Sequence, residues 1–303
     1  MIKPRALKSG DVIGVVAPSG PPDEKELAMG VQRLERLGFK VRLGDHVSKR
    51  WRHLSAEDSQ RVEDLHRFFS DPTIQAIVCA RGGSGASRLI PYLDSKVIRA
   101  NPKIFVGSSD VTTLLLYFMQ ACGIVAFHGP MVAPNFGKKP SALTNEFFLK
   151  LLTKPEAVGQ LDLPGVKTLK AGTAEGTVTG GCLTILSLSL GTPHAIKTHG
   201  SILFLEDIDE APYKIDRMLT HLKQAGCFKG VRGIVFGKMV NCQPKPEEGY
   251  TLEDVILDVS SDFHGPILYG FPSGHGEENI TLPFGTKVRI SNGGIEILEA
   301  AVS

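Results

Sequence analysis

Long apolar runs are missing from this 303-residue chain. No stretch approaches the roughly 18 consecutive apolar residues that a membrane span requires. The first short run, residues 12–17, directly follows Asp11 and is too short for the core of a secretory signal. An excess of either charge is missing as well. The 34 Lys and Arg against 32 Asp and Glu leave a net charge of +2, which gives no electrostatic footing for nucleic acid or an anionic membrane surface. A small polar substrate needs only one or two local charges and stays open. Cysteine is sparse and odd in number: Cys79, Cys122, Cys182, Cys227 and Cys242, with no Cys-x-x-Cys pair. That pattern argues against a disulfide framework or a zinc knuckle and for buried free thiols in a reducing compartment. The nine histidines include no His-x-x-x-His or His-Glu-x-x-His spacing, so no metal-ligand set emerges. These absences together predict a cytoplasmic protein without metal or cofactor.

The composition, 42% hydrophobic and 22% charged, is that of a globular protein with a real core. The length suggests two domains. In the first half, strand-like and helix-like segments alternate. The β-branched run 12–17 is ended by Pro18-Ser19-Gly20-Pro21-Pro22. Residues 24–37 carry Leu27, Val31, Leu34 and Leu37 at helical spacing, and Gly38 stops them. Further strands are expected at 41–43, 77–80 and 104–107, and further helices at 56–69, 85–93 and 111–121. This rhythm predicts a mainly parallel sheet covered on both faces, with its site at the carboxyl ends of the strands. After about residue 155 short runs separated by glycine turns dominate, with helices expected at 183–190, 212–225 and 251–262. The expected organisation is a domain over 1–150, a smaller β-rich domain over 165–303 and a linker within 137–165.

Four segments could carry chemistry. Phe105-Val106-Gly107-Ser108-Ser109-Asp110 is a strand, a glycine turn and a helix start. A hydroxyl there faces the positive end of the helix dipole, as in a nucleophile elbow, although the second glycine of Gly-x-Ser-x-Gly is missing. Plain helix capping by Ser109 or Asp110 reads the same residues, and local sequence does not choose between Ser108 and Ser109. Arg81-Gly82-Gly83-Ser84-Gly85 follows a strand, and its glycines can aim backbone N–H groups at an anion, either a phosphate or an oxyanion. It lacks the Walker pattern and the third dinucleotide glycine, so a tight turn is the competing reading. Gly274-His275-Gly276 places a histidine between glycines in a proline-bounded loop, where it looks presented rather than packed. Glu206 directly follows the apolar strand 201–205 and heads a cluster of acids; it could orient an imidazole or simply be solvated.

Together and in order, these segments resemble the serine L,D-carboxypeptidases that act on muropeptides, a family that includes microcin-immunity hydrolases. The resemblance runs through Gly14-Val-Val-Ala-Pro-Ser-Gly20, Arg81-Gly82-Gly83, Gly107-Ser-Ser-Asp110 and His128-Gly-Pro-Met131. It continues through Gly180-Gly181, Leu190-Gly-Thr-Pro193, Leu205-Glu206-Asp207, and Gly274-His275 with Asn279 and Leu282-Pro283. It implies Ser109 as nucleophile, Glu206 as acid and His275 as base, with backbone N–H groups of Asp110 and Gly83 as the oxyanion hole. It further implies a Rossmann-like (flavodoxin-like) α/β N-terminal domain, a β-rich C-terminal domain, no cofactor, a small muropeptide substrate and a homodimer. The chain departs from the pattern at Ser108, where an aromatic is usual, at Ser84, where a tyrosine often stands, and at Cys182, where asparagine is frequent. Arg81, Gly82, Ser84 and Ser108 are the expected substrate-binding residues. Arg81 would pair with a terminal carboxylate or, alternatively, form a structural ion pair between the domains. Hydrolysis of a peptidyl- or aminoacyl-nucleotide toxin and non-catalytic nucleotide binding by the 82–85 loop are the competing functions.

Overall fold

Apolar, β-branched runs bounded by glycine and proline form the strands, and amphipathic stretches between them form the helices. The computed structural model describes residues 1–303 apart from Asp162, Pro164 and Gly293. The strands of the first half are β1 (Val12–Val16), β2 (Lys40–Leu43), β3 (Ile74–Cys79), β4 (Ile104–Gly107) and β5 (Ala126–His128). Those of the second are β6 (Gly159–Leu161), β7 (Lys167–Lys170), β8 (Ala174–Cys182), β9 (Ser201–Ile208), β10 (Gly233–Val240), β11 (Ile267–Tyr269), β12 (Leu282–Phe284), β13 (Lys287–Ser291) and β14 (Gly294–Ile297). The helices are α1 (Glu24–Arg36), α2 (Asp58–Ser70), α3 (Ser95–Ala100), α4 (Thr112–Gln120), α5 (Ala142–Thr153), α6 (Leu183–Ser189), α7 (Pro212–Gln224) and α8 (Leu252–Val259).

The first sheet has the order β12-β5-β4-β3-β1-β2. Its β1 to β5 pairs are parallel, and β12 closes the edge antiparallel to β5. The second sheet has the order β6-β14-β13-β8-β9-β10-β11-β7, a parallel centre from β8 to β11 flanked by antiparallel strands. The chain is therefore α/β, with a mostly parallel sheet in the first half. Two details differ from the sequence reading. The stretch 86–92 is a 3-10 helix rather than an α-helix, because Pro91 inside it cannot donate a backbone N–H. The region 137–165 contains α5, whose Phe147, Phe148, Leu151 and Leu152 are buried in the core, so it is packed structure as well as connection. Among the described residues no helix is long and apolar enough to cross a membrane.

The carboxyl ends of β1, β3 and β4 deliver three loops to one place, and a buried arginine holds two of them. Arg61 of α2 is 2% exposed. Its guanidinium donates to the Pro18 carbonyl, to the Gly85 carbonyl at 3.1 Å and to Asp58 at 2.5 Å. The exposed Arg88 pairs with the same Asp58 at 2.8 Å. Arg61→Met keeps the stem but leaves buried carbonyls unpaired, and should lower the unfolding free energy by about 2–3 kcal/mol. Arg88→Met removes a largely solvated pair and should cost less than about 1 kcal/mol. Urea titration of both variants beside the parent measures the contrast.

Candidate active site

Strand β4 is buried throughout and ends at Gly107. Ser108 is extended, and Ser109 then adopts φ +60° before the chain enters a 3-10 turn and α4. A non-glycine residue in the left-handed region costs about 1–2 kcal/mol, so this conformation must be imposed by its surroundings. The Asp110 side chain supplies one constraint. Its Oδ2 accepts from Ser19 Oγ at 2.6 Å and from the Ala86 backbone N–H at 2.8 Å, tying the loops after β1 and β3 to the serine turn. Gly82 supplies another. A Cβ there would lie 2.7 Å from Ser109 Cβ and 2.9 Å from Ser109 Oγ, so the glycine loop packs its backbone directly against the serine. The Asp110 N–H belongs to the first turn of the helical segment, where backbone donors lack intrahelical partners.

Glu206 lies in β9 with no exposed surface, opposite Cys182 in the β8–β9 register. Its Oε2 accepts from His275 Nδ1 at 2.6 Å and from the His275 backbone N–H at 3.2 Å. Gly274, at φ +120°, makes this approach feasible, since a Cβ there would stand 2.5 Å from Glu206 Oε2. Asn279 Oδ1 fixes the loop by accepting from the Gly274 N–H at 3.1 Å. Burial alone would raise the Glu206 pKa, but the His275 charge and hydrogen bond, aided by the nearby His128, outweigh it and hold the carboxyl at about 2. Burial likewise works to lower the His275 pKa, yet the Glu206 carboxylate prevails and raises it. An ionised carboxylate at Nδ1 fixes the proton there and leaves Nε2 as the bare, basic nitrogen.

His275 is more enclosed than its glycine flanks suggested, with a side chain 16% exposed, because Gly274 lets it fold onto Glu206. It shares a cavity of about 630 Å³ with Ser108, Met131, Asn135, Lys138 and Lys139. Among the described residues no hydrogen bond joins Ser109 Oγ to the imidazole; catalytic hydrogen bonds of this kind commonly tighten only when substrate binds. Strand pairing carries the strand that leads into the serine turn to the layer that holds Glu206. Gly107 pairs with His128 across β4 and β5, and His128 Nε2 is 3.6 Å from Glu206 Oε1. The Cys182 N–H also donates to Thr112 Oγ1 at 3.1 Å, locking β8 to the helix start that follows Ser109. Gly83 and Ser84 line a second cavity of about 530 Å³ with Asp110 and Thr113. Arg81 donates to the Pro21 carbonyl at 3.1 Å, within the first half of the chain, and among the described residues it pairs with no carboxylate. A cavity of about 770 Å³ along α2, lined by Asp58, His66 and Tyr92 among others, includes none of these groups. The sequence reading gave no role to His128 or Ser273, and read the Asp110 side chain only as a helix cap. His128 had a detectable signal, a polar residue at a strand's carboxyl end before Gly-Pro.

Comparison with known proteins gives a consistent picture. The family described as LD-carboxypeptidase N-terminal domain matches residues 13–129, and the one described as LD-carboxypeptidase C-terminal domain matches residues 175–290. A probable murein peptide carboxypeptidase of Bacillus subtilis is 40% identical, over 99% of this chain and 95% of its own. The microcin C7 self-immunity protein MccF of Escherichia coli is 30% identical, over 98% of this chain and 96% of its own. The crystal structure of a muramoyltetrapeptide carboxypeptidase from Oxalobacter formigenes superposes with a TM-score of 0.84 at 30% identity, covering 94% of this chain and 97% of that one.

The Glu206 carboxyl drops from an ordinary 4.5 to about 2 on folding. A depressed carboxyl pKa stabilises the fold above the unfolded value, and that stabilisation is lost as pH falls through the folded one. Between about pH 4.5 and 2 the parent should lose on the order of 3 kcal/mol that Glu206→Gln does not lose. Urea unfolding of both proteins at pH 7, 4 and 3 checks the difference.

Proposed function

The chain belongs to the LD-carboxypeptidase family, and from that premise we propose that Ser109, His275 and Glu206 hydrolyse the L,D-peptide bond releasing the terminal D-alanine of muropeptide tetrapeptides. The 2.6 Å hydrogen bond between His275 Nδ1 and the buried Glu206 carries the assignment. It is read as the base-orienting half of a catalytic triad, whose nucleophile would be the serine held at φ +60° where a strand turns into a helix.

In the proposed mechanism His275 Nε2 takes the Ser109 proton as the hydroxyl attacks the scissile carbonyl. Glu206 stabilises the imidazolium that forms. Backbone N–H groups of Asp110 and Gly83 receive the developing oxyanion, each worth about 2.7–4 kcal/mol in such sites. The imidazolium then gives its proton to the leaving amine, the D-amino acid departs, and water attacks the acyl-enzyme by the reverse route. Ser108 lines the cavity that holds His275 and Ser84 the one that holds Asp110; with Arg81 and Gly82 they are the proposed substrate contacts. The 30% identity to MccF supports a second reading within the same chemistry, hydrolysis of an aminoacyl-nucleotide.

Mass spectrometry of a tetrapeptide muropeptide after incubation should show loss of one alanine residue. Ser109→Ala should remove that product, with turnover down about a millionfold. Cleavage of an aminoacyl sulfamoyl adenylate with an untouched muropeptide would transfer the assignment to the second reading. Full turnover by Ser109→Ala would end the role given to Ser109.

The pH profile supplies a separate check. Because Glu206 raises the His275 pKa above its ordinary 6.5, the base is lost to protonation on the acid side at a pH above 6.5. Glu206→Gln should move that limb of kcat/KM downward and reduce kcat by about 10⁴. Profiles of both enzymes between pH 5 and 9 measure the shift.

A further inference from the structure

A second histidine faces the same carboxylate. His128, at the end of β5, has no exposed surface and is packed between Phe204 and Phe284, at ring separations of 5.0 and 5.7 Å. On one side its Nδ1 lies 3.3 Å from Ser273 Oγ. On the other its Nε2 lies 3.6 Å from Glu206 Oε1, and neither of those two atoms has a hydrogen-bond partner among the described residues.

The hydrogen positions follow from the acceptors. Ser273 Oγ is 2.7 Å from the Ile280 carbonyl and 3.3 Å from Asn279 Oδ1, both acceptors, so the single hydroxyl proton points to the nearer of them. His128 Nδ1 must then donate to Ser273 Oγ. At the other end of the ring, Nε2 faces an ionised carboxylate oxygen, which also only accepts. We propose that His128 carries protons on both ring nitrogens and is a positioning residue, anchoring Glu206 Oε1 so that Oε2 stays directed at His275. This rests on the triad reading above. It assigns the two carboxylate oxygens to two histidines from different parts of the fold, β5 on one side and the 270–279 loop on the other.

The geometry has a consequence for the base. The titratable groups around His275 are Glu206 and Asp207 of β9, Asp209 just beyond it, and the Cys182 thiol, which burial pushes well up. A cation on Glu206 Oε1 offsets part of the negative charge that His275 senses through Oε2. Removing it lets the full charge act on His275, whose acid limb in kcat/KM moves to higher pH. Loosening of the carboxylate lowers kcat by about ten- to a hundredfold, the range seen when partners that orient an active-site ligand are lost, with KM little changed.

The test uses the full chain. Nitrogen-15 spectra of histidine-labelled enzyme at neutral pH should show both His128 nitrogens protonated. His128→Phe should show the kcat loss and the upward shift of the acid limb, and His128→Gln, which restores a donor, should recover part of both. A bare His128 nitrogen, or parental kcat and pH profile in His128→Phe, overturns the proposal. If the Phe variant does not fold, the spectrum and the Gln profile decide: a Gln variant matching the parent in both kcat and limb position, in an enzyme whose His128 has one bare nitrogen, overturns it. The spectrum does not depend on Ser109 being the nucleophile, so failure of the Ser109→Ala test and failure here are distinguishable.

Discussion

The site depends on a carboxylate placed where no water reaches it. Desolvating an ion costs several kcal/mol unless donors replace the lost hydration. Glu206 receives two from one residue, the ring and backbone N–H of His275 at 2.6 and 3.2 Å. Removing either partner would leave the other buried and unmatched, so the pair constrains everything around it. The β8–β9 register must bring Glu206 opposite Cys182. Residue 274 must lack a side chain, and Asn279 must hold the loop against its own strand. The same pairing that keeps the carboxyl ionised also fixes the imidazole tautomer, so stability and chemistry draw on one contact.

The serine turn is held by different means. Its φ of +60° is locally unfavourable and persists because three loops are bound together around it. The Asp110 carboxylate accepts from two of them, and Arg61 donates to their carbonyls from beneath. Charge-assisted bonds of this kind are worth roughly twice a neutral one, enough to offset a strained residue. Asp110 thus gives the turn its side chain as an anchor while its main-chain N–H stays oriented with the helix start. The Gly82 contact with Ser109 completes the turn from above.

Much of this was legible in the chain. The helices expected at 24–37, 56–69, 111–121 and 212–225 fall on α1, α2, α4 and α7 to within a few residues. Glycine marked where β3 and β4 give way to the loops at 81 and 107. The serine, the histidine and the glutamate could be named only because several weak segments occurred in one order; taken singly, Ser109 read equally as a cap and Glu206 as a solvated acid. What the sequence could not express was pairing at a distance. Nothing local says that the hydroxyl of Ser273 meets His128, 145 positions away in the chain. Nor does anything local say that the Asp110 side chain bonds Ser19 rather than capping its own helix. The enclosure of His275 was underestimated for the same reason, since the partner that covers it comes from β9.

Chain connectivity explains why these distant groups meet. The stretch from Gly270 to Thr281 leaves β11 in the second sheet and enters β12, which pairs with β5 in the first. His275 is therefore carried on the segment that crosses between the sheets. At one end Ser273 bonds toward His128 of the first sheet, and in the middle His275 bonds Glu206 of the second. The Asn279 N–H is meanwhile held by Thr144 of α5 at 3.0 Å. A base mounted on a free loop would need closure to find its carboxylate. Here the loop is fastened at both ends and at its centre, and β12 commits the second half of the chain to the first sheet. The distance between imidazole and carboxylate is consequently a property of the sheet pairing itself, fixed by the same hydrogen bonds that fix the fold.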